Sequence, residues 1–551
     1  MSATPPAAPG GVRSVIVVGG GTAGYFTALA LQRALPALDV TLIESSKIPI
    51  IGVGEATTTL MPPFLHRALG IDIHDMYRAV RPTWKLGIRF EWGRSGDYFF
   101  NYPFGAADPL EAWAHEGSIA NQSVTALLMA ADRVPLVRDE AHGVVSLLPR
   151  VKFAYHLDNK PFVAFLAGIA RQRGIGHIDA EITRVVPQPD AGGVDHLVLD
   201  DGRALRADLF VDSTGFRALL IEQALGSPFV SYASSLFCDR AIVAAVPQRG
   251  AIQPYTTAET MNAGWCWRIP VEGEDHRGYV HSSAHLTEDQ ARAEMRAANP
   301  GMGESWTVRF RSGRHREFWK GNTVAVGNAY GFVEPLQSTA LHMVIVEITY
   351  LLGALQKQGE PDRQFANDHV MAHWDFLRWF LAMHYRFNRR RDTPFWRDCA
   401  TQVDVSGLQE VLDRYASIGL WDVDPKRWHV TQDPAFNFWG LMVMLLGQHV
   451  SCPRAPRTVL CPAEWAARVG ESRAVVDRAL PQAEALALLR RRPELLDQLV
   501  QSPDSWINRG GDLFGALAAP VLDDAAAQPD QVLVRYEHLF RAVGIAAGHA
   551  A

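Results

Sequence analysis

Cross-linking chemistry is scarce in this chain: its 551 residues include five cysteines. Cys238, Cys266, Cys399, Cys452 and Cys461 are odd in number, widely scattered, and show no Cys-x-x-Cys or Cys/His zinc spacing. That pattern excludes a disulfide framework or zinc ribbon, leaves no candidate metal ligands, and fits a reduced, cytoplasmic interior. An excess of basic charge is also missing, with 53 Lys+Arg against 59 Asp+Glu and a formal net charge of −6. Nucleic acid and anionic membrane surfaces therefore have no electrostatic support as partners. No run reads as long and apolar enough to span a bilayer. The first apolar run leads straight into glycines, without the cleavage pattern of a signal peptide. No fixed-period repeat is visible. What the chain does have is apolar residues, 48% of the total, at a length that allows one large core or two to four domains.

Residues 1–11 are rich in Pro, Ala and Gly and are expected to be a disordered lead-in. Val15-Ile-Val-Val18 then reads as a buried parallel strand entering Gly19-Gly-Gly21-Thr22-Ala23-Gly24, followed by a helical pattern through Ala34 and a second strand, Val40–Ile43, ending at Glu44. Strand, Gly-x-Gly-x-x-Gly, helix, strand and acid together form the dinucleotide-binding context. Gly19 permits the tight turn, Gly21 lets backbone approach a pyrophosphate, Gly24 lets helix pack on strand, and Glu44 can accept ribose hydroxyls. The fingerprint alone does not choose FAD over NAD. A plain glycine turn is the bland alternative.

The stretch Gly331–Met343 is punctuated differently. A β-like run, Asn322–Gly327, precedes it and Pro335 breaks the chain. Ser338 and Thr339 then stand where helix caps stand, ahead of an apolar run ending near Leu355. Such a helix start offers unpaired N–H groups and a positive dipole end to an anion. Read blandly, it is an ordinary capped helix.

Between these landmarks, Thr83–Trp92 alternates as one strand with Trp84, Leu86, Ile88, Phe90 and Trp92 on one face and Lys85, Gly87, Arg89 and Glu91 on the other. By pattern alone Lys85 is a solvated lysine. Phe99–Gly105 gathers aromatics in what reads as a loop, with Tyr102 and Phe104 flanking Pro103. Ala207–Asp212, followed by Ser-Thr-Gly215, reads as a strand returning to the same parallel sheet. Trp265-Cys-Trp267-Arg-Ile269-Pro270 places two large rings on one side of a strand, as core or as a pocket wall. Beyond residue 360 the pattern is mostly helical, with Pro481 and Pro493 at expected helix starts.

Taken together, these separated motifs resemble the flavin-dependent tryptophan halogenase family. The matches run from Val15 to about Cys399. They comprise the fingerprint, Gly52-Val-Gly-Glu-Ala-Thr57, Trp84-Lys85, Tyr102-Pro-Phe-Gly105, Ala207–Phe216, the Trp265/Trp267 signature, Gly331–Ala340, His384-Tyr385 and Asp392-Thr-Pro-Phe-Trp396. The resemblance implies an α/β fold: a Rossmann-like FAD-binding domain of the flavin monooxygenase type (12–360), with inserted substrate-side strands at about 80–130 and 225–310 forming an additional β-sheet, and a mostly helical substrate-covering part (361–551). It implies that FADH2, O2 and bromide or chloride yield hypohalous acid, which reaches an electron-rich aromatic through a tunnel.

The resemblance assigns Lys85 and Gln337 to catalysis, Thr339 and Ala340 to the halide, and Ile182, Gly327 and Leu341, with the fingerprint residues, to FAD. Trp265, Trp267, Tyr102 and Phe104 line the wall between flavin and substrate. One fingerprint leaves no obvious second site for NAD(P)H, so a separate flavin reductase is expected, and a homodimer is compatible with the family. The departures are Gln337 where the family has a catalytic glutamate, Ala340 for a glycine, and Tyr102 for a frequent histidine. The C-terminal part also lacks a clear counterpart of the cluster that grips free tryptophan. An indole derivative other than free L-tryptophan is therefore the expected substrate. A flavin-dependent aromatic monooxygenase, or an impaired flavin-binding protein, remain alternatives on these residues.

Overall fold

The computed structural model describes residues 11–48, 54–105, 109–140, 143–189, 192–356, 362–419, 436–452 and 458–508. Of the lead-in, 1–10 lie outside them, as do Gly52 and Val53 of the second glycine motif.

The strand Ser14–Val18 is buried on both faces. Val15 and Val17 point into the main core, and Ile16 and Val18 into a second apolar cluster. This is why the strand reads as a continuous apolar run rather than an alternating one. It sits inside a six-stranded sheet ordered Gly176–Asp179, Asp39–Glu44, Ser14–Val18, Leu209–Asp212, Thr323–Ala325, Trp319–Lys320. The first five are parallel and the last is antiparallel. The helix Thr22–Ala34 makes the crossover between the first two strands of the chain. Leu209–Asp212 returns beside Ser14–Val18, as the sequence predicts.

A second sheet of seven strands is ordered Ser305–Arg309, Arg240–Pro247, Glu274–His281, Gly264–Pro270, Thr256–Met261, Gly87–Glu91, Phe100–Pro103. It corrects two sequence expectations. Thr83–Trp92 is not one strand: Thr83–Lys85 pairs with Ala154–Leu157 in a small separate sheet, while Gly87–Glu91 joins the seven-stranded one. Leu86 bridges the two, donating to the Pro254 carbonyl (2.7 Å) and accepting from the Phe104 amide (2.8 Å). Gly87 allows the switch, since a Cβ there would lie 2.2 Å from the Tyr102 carbonyl oxygen. The aromatic stretch 99–105 is likewise no loop. Its Phe100–Pro103 segment is a strand paired with Gly87–Glu91.

The helix Thr339–Gln356 runs against the fingerprint helix. Contrary to the sequence expectation, it is long and apolar enough to cross a membrane by length and composition, but 83% of its apolar window is buried inside the protein. Core packing accounts for that apolarity. After it come the helices Arg363–Phe387, Pro394–Gln402, Gln409–Ile418, Phe438–Gly447, Pro462–Asp477 and Gln482–Arg491. A short strand, Ala479–Pro481, ties this part to Arg133–Asp139.

At Gly19 and Gly24 the fingerprint turn packs backbone against backbone with no room for a side chain. A Cβ on Gly24 would meet the Gly19 carbonyl oxygen at 1.9 Å, and one on Gly19 the Ser213 carbonyl oxygen at 2.3 Å. Because these neighbours are backbone, they cannot turn aside as a side chain could. Gly24→Ala is therefore expected to destabilise the fold by about 2 kcal/mol or more, read from urea unfolding. A stability equal to the parent chain would mean that helix and strand can separate freely here.

Candidate active site

One cavity of about 390 Å³ lies at the end of the parallel sheet, with Gly19, Gly21, Thr22, Ala23, Glu44, Ile182, Gly327, Ala340 and Leu341 on its walls. Eight of the nine residues expected to hold the dinucleotide thus converge. The ninth, Gly24, is absent from the walls and instead provides the helix–strand contact. Glu44 is oriented from behind, its Oε1 accepting from Tyr25 Oη (2.7 Å) and facing His177 Nε2 (2.7 Å). Its Oε2 lies 1.5 Å from where a Cβ of Gly20 would stand. This bare-backbone cradle at a helix N-terminus, with an acid at the end of the adjacent strand, has the donor and acceptor set that a dinucleotide needs. Residues 212–216, read from the sequence only as a strand end, supply Ser213, Thr214, Gly215 and Phe216 to the same wall.

A smaller cavity of about 150 Å³ adjoins it, sharing Glu55, Phe216, Asn328 and Ala340, and is lined further by Thr256, Trp267, Ile269, Phe332, Pro335 and Ser338. Trp267 faces this space. Trp265 does not; it lies behind, its ring centroid 6.0 Å from that of Trp267 and its Nε1 donating to Glu334 Oε2 (3.3 Å). Glu55 was not singled out from the sequence, although it sits in the second glycine motif. Burial alone pushes its carboxyl up to about 7.

Thr339 begins the helix fully buried, and its Oγ1 has no hydrogen-bond partner among the described residues. Ser338 is not an ordinary helical cap. Its φ of 59° is left-handed, a conformation that costs a non-glycine residue about 1 kcal/mol or more. Its hydroxyl accepts from Lys85 Nζ, which also donates to the Thr57 carbonyl (2.9 Å). Lys85 is wholly buried rather than solvated, and Nζ stands 5.2 Å from the centroid of the Phe104 ring. Burial holds its amine well below the usual lysine range. Tyr102 is buried with its hydroxyl toward the helix Phe438–Gly447, where a Cβ on Gly440 would come within 2.2 Å of it.

Gln337 is 2% exposed, and its Nε2 donates to His384 Nε2 (2.8 Å). His384 Nδ1 stands 2.7 Å from the Phe380 carbonyl, which can only accept. The imidazole is therefore protonated at Nδ1 and presents a lone pair to Gln337. Burial drives its pKa down to about 3, keeping it neutral. His384 was visible in the sequence as part of a motif, but its bond to Gln337 was not.

A larger cavity, about 680 Å³, lies between residues 74–82 and 486–497. It shares no wall with either space, and its charged residues pair with one another: Arg81 with Glu272 (2.6 Å) and His74 with Asp497 (2.7 Å).

A dinucleotide cradle adjoining a space lined by Trp267, with the helix start at Thr339 and a buried lysine bonded to Ser338 on that space's wall, is the layout of a dinucleotide-dependent enzyme with a second chamber beside its cofactor cavity. The family model described as tryptophan halogenase matches residues 14–461. The chain belongs to this family: it is a flavin-dependent halogenase, an oxidoreductase using FAD, O2 and halide to halogenate an electron-rich aromatic ring. Among solved structures it is similar to MibH, a lathipeptide tryptophan 5-halogenase, at 45% identity and a TM-score of 0.85, covering 92% of this chain and 98% of that one. Among curated relatives, 7-chloro-L-tryptophan 6-halogenase KtzR of Kutzneria sp. (strain 744) is 35% identical over 72% of this chain and 84% of its own length. Tryptophan 7-halogenase RebH of Lentzea aerocolonigenes is 32% identical over 74% and 82%.

The Gln337–His384 geometry sets a condition on restoring the carboxylate. In Gln337→Glu an acceptor would face the lone pair of His384, because Phe380 holds the imidazole proton on the other nitrogen. The substitution is expected to cost about 1–3 kcal/mol of stability near neutral pH. The loss should shrink as pH falls, since protonating either group restores a donor. Urea unfolding at several pH values measures this, and an unchanged stability at neutral pH would show that His384 can switch tautomer.

Proposed function

We propose that this enzyme halogenates the indole of a tryptophan carried in a peptide, in preference to free L-tryptophan. The observation that carries this reading is the 45% identity to a lathipeptide tryptophan 5-halogenase across nearly the whole of both chains, against 35% and 32% for the tryptophan halogenases KtzR and RebH. The missing counterpart of the cluster that grips a free amino acid supports it too. An indole is already activated toward electrophiles, so it tolerates an amide at Gln337 where a harder ring would need a carboxylate.

When bound, FAD supplies the two-electron activation of O2 that oxidises halide. The chain's residues do the rest. The backbone of Gly19–Thr22 and the helix start it enters hold the pyrophosphate, and Glu44, steadied by Tyr25 and His177, accepts the ribose hydroxyls. Thr339 Oγ1 and the Ala340 N–H take the halide at the head of the helix dipole. Trp267, backed by Trp265, separates flavin from substrate, while Tyr102 and Phe104 pack the substrate side.

Lys85 acts as an amine. Its two bonded partners, a carbonyl and a hydroxyl, are neutral, and burial disfavours the ammonium. It captures hypohalous acid with release of water, forming an N–halogen bond. That bond breaks as the ring carbon takes the halogen, and the ring proton ends on nitrogen. In this reading residues 12–360 form the FAD-binding domain with its inserted substrate-side strands at about 80–130 and 225–310, and 361–551 the mostly helical cover over the substrate. A separate flavin reductase supplies FADH2, and a reducing cytoplasm suits the scattered cysteines of this chain.

The test combines enzyme, FAD, a flavin reductase and NADH with chloride, bromide or no halide, and offers a tryptophan-containing peptide, free tryptophan and indole. Mass spectrometry should show a halogenated peptide as the fastest product. Oxygen insertion without halide would favour the monooxygenase alternative, and preference for free tryptophan would overturn the substrate class. Lys85→Ala is expected to abolish ring halogenation while reduced-flavin oxidation continues. Loss of both would remove Lys85 from the substrate end.

A further inference from the structure

The loop carrying Gln337 and Thr339 is held at a second point that the roles above do not use. Glu334, three residues before Gln337, is fully buried. Its Oε2 accepts from Tyr385 Oη (2.6 Å) and from Trp265 Nε1 (3.3 Å), and the Cys238 thiol faces the same carboxyl as a third donor. A carboxyl buried in full costs stability, and three side-chain donors from three different stretches of chain converge on this one. Tyr385 directly follows His384 on the helix Arg363–Phe387. Two adjacent side chains of that helix therefore pin two points of one loop, His384 at Gln337 and Tyr385 at Glu334. Glu334 extends the pinning to Trp265, whose ring backs Trp267 at the small cavity.

We infer that Glu334 is a positioning residue of the halogenation reaction: it fastens Trp265 to the turn that carries Gln337 and Thr339, and so keeps the tryptophan wall shut while the oxidised halogen travels to Lys85. This rests on the wall reading of Trp265 and Trp267 given above. The groups facing Glu334 are Tyr385 from the long helix, Trp265 from its strand, Cys238 ahead of the strand Arg240–Pro247, and Cys399 on the helix Pro394–Gln402. Burial pushes the phenol and both thiols above their ordinary ranges, so they stay protonated. The Glu334 carboxyl is pushed only to about 7. It is thus the group of this cluster that changes charge near neutrality, and a charged acceptor holds an indole N–H more firmly than a neutral one.

The experiment uses the holoenzyme and divides oxidised FADH2 into halogenated product and leak, the latter counted as peroxide plus hypohalous acid caught by a small diketone. Glu334→Leu is expected to raise the leaked fraction about five-fold while KM for the aromatic moves less than about two-fold, and in the Trp265→Phe background it should add nothing further. Glu334→Gln still offers one oxygen to both donors. Its leak should stay within about two-fold of the parent and lose the parent's rise between about pH 8 and pH 6.

An effect of Glu334→Leu that persists in full beside Trp265→Phe would overturn the assignment, as would a leak in Glu334→Gln that follows pH as the parent does. The Gln arm decides alone if the Leu variant does not fold. Leak from Trp265→Phe without leak from Glu334→Leu would remove Glu334 only. No leak from Trp265→Phe would remove the wall reading itself and this inference with it.

Discussion

The contact on which the site depends is the one between Lys85 and Ser338. It joins the last residue of a short strand to the turn that opens the helix Thr339–Gln356, and both ends are under constraint. A fully buried amine gives up several kcal/mol of hydration if it stays charged, and Ser338 adopts a left-handed backbone that a helix start does not require. Neither would persist unless the surroundings over-determined it. They do: Thr57, whose carbonyl is the amine's other partner, is locked to Tyr155 through both its hydroxyl and its amide. A site built this way exchanges stability for the placement of one nitrogen.

The two sheets give that nitrogen its purpose. The six-stranded sheet ends at the glycine cradle, and the seven-stranded one carries Trp265 and Trp267, so the small cavity beside the cofactor cavity ends at Ser338, to which Lys85 is bonded. The chain crosses from the small sheet to the large one at Leu86, immediately after the lysine. Lys85 therefore stands at the seam, where a strand buried on both faces can deliver a polar group inward without breaking a ladder.

Much of this was legible in the residues, and the illegible part has physical causes. The βαβ unit is local, so its strand, turn and helix could be placed to within a residue, and the cap residues marked the start of the long apolar helix. The Thr83–Trp92 stretch misled because alternation cannot tell one strand from two that share a phase: Trp84, Leu86, Ile88, Phe90 and Trp92 are all buried, yet Lys85 is buried as well. The aromatics at 99–105 read as a loop, whereas Phe100–Pro103 is an edge strand that ends at its proline, where proline is tolerated. The membrane-length helix was discounted from sequence, and only its burial explains its composition. His384, Tyr385 and Glu334 were out of reach as a network. They come from stretches 50 residues apart whose approach is a tertiary fact, and no periodicity announces a hydrogen bond of that separation.

That network also explains how a glutamine can occupy the turn. A carboxylate at 337 would need a donor, and the ring nitrogen that faces it belongs to a histidine whose proton is committed to the Phe380 carbonyl and whose burial resists a second one. An amide meets the demand with no charge at all. On the proposed reading of Gln337 and Lys85, the groups that meet the substrate are an amide, a neutral imidazole beside it and an amine. On that reading selectivity comes from shape and from the reactivity of the ring, since none of these three groups carries a charge to stabilise a cationic intermediate. Such a site favours a ring that is already electron-rich and a substrate held by contacts elsewhere along its length, and an indole within a peptide satisfies both requirements.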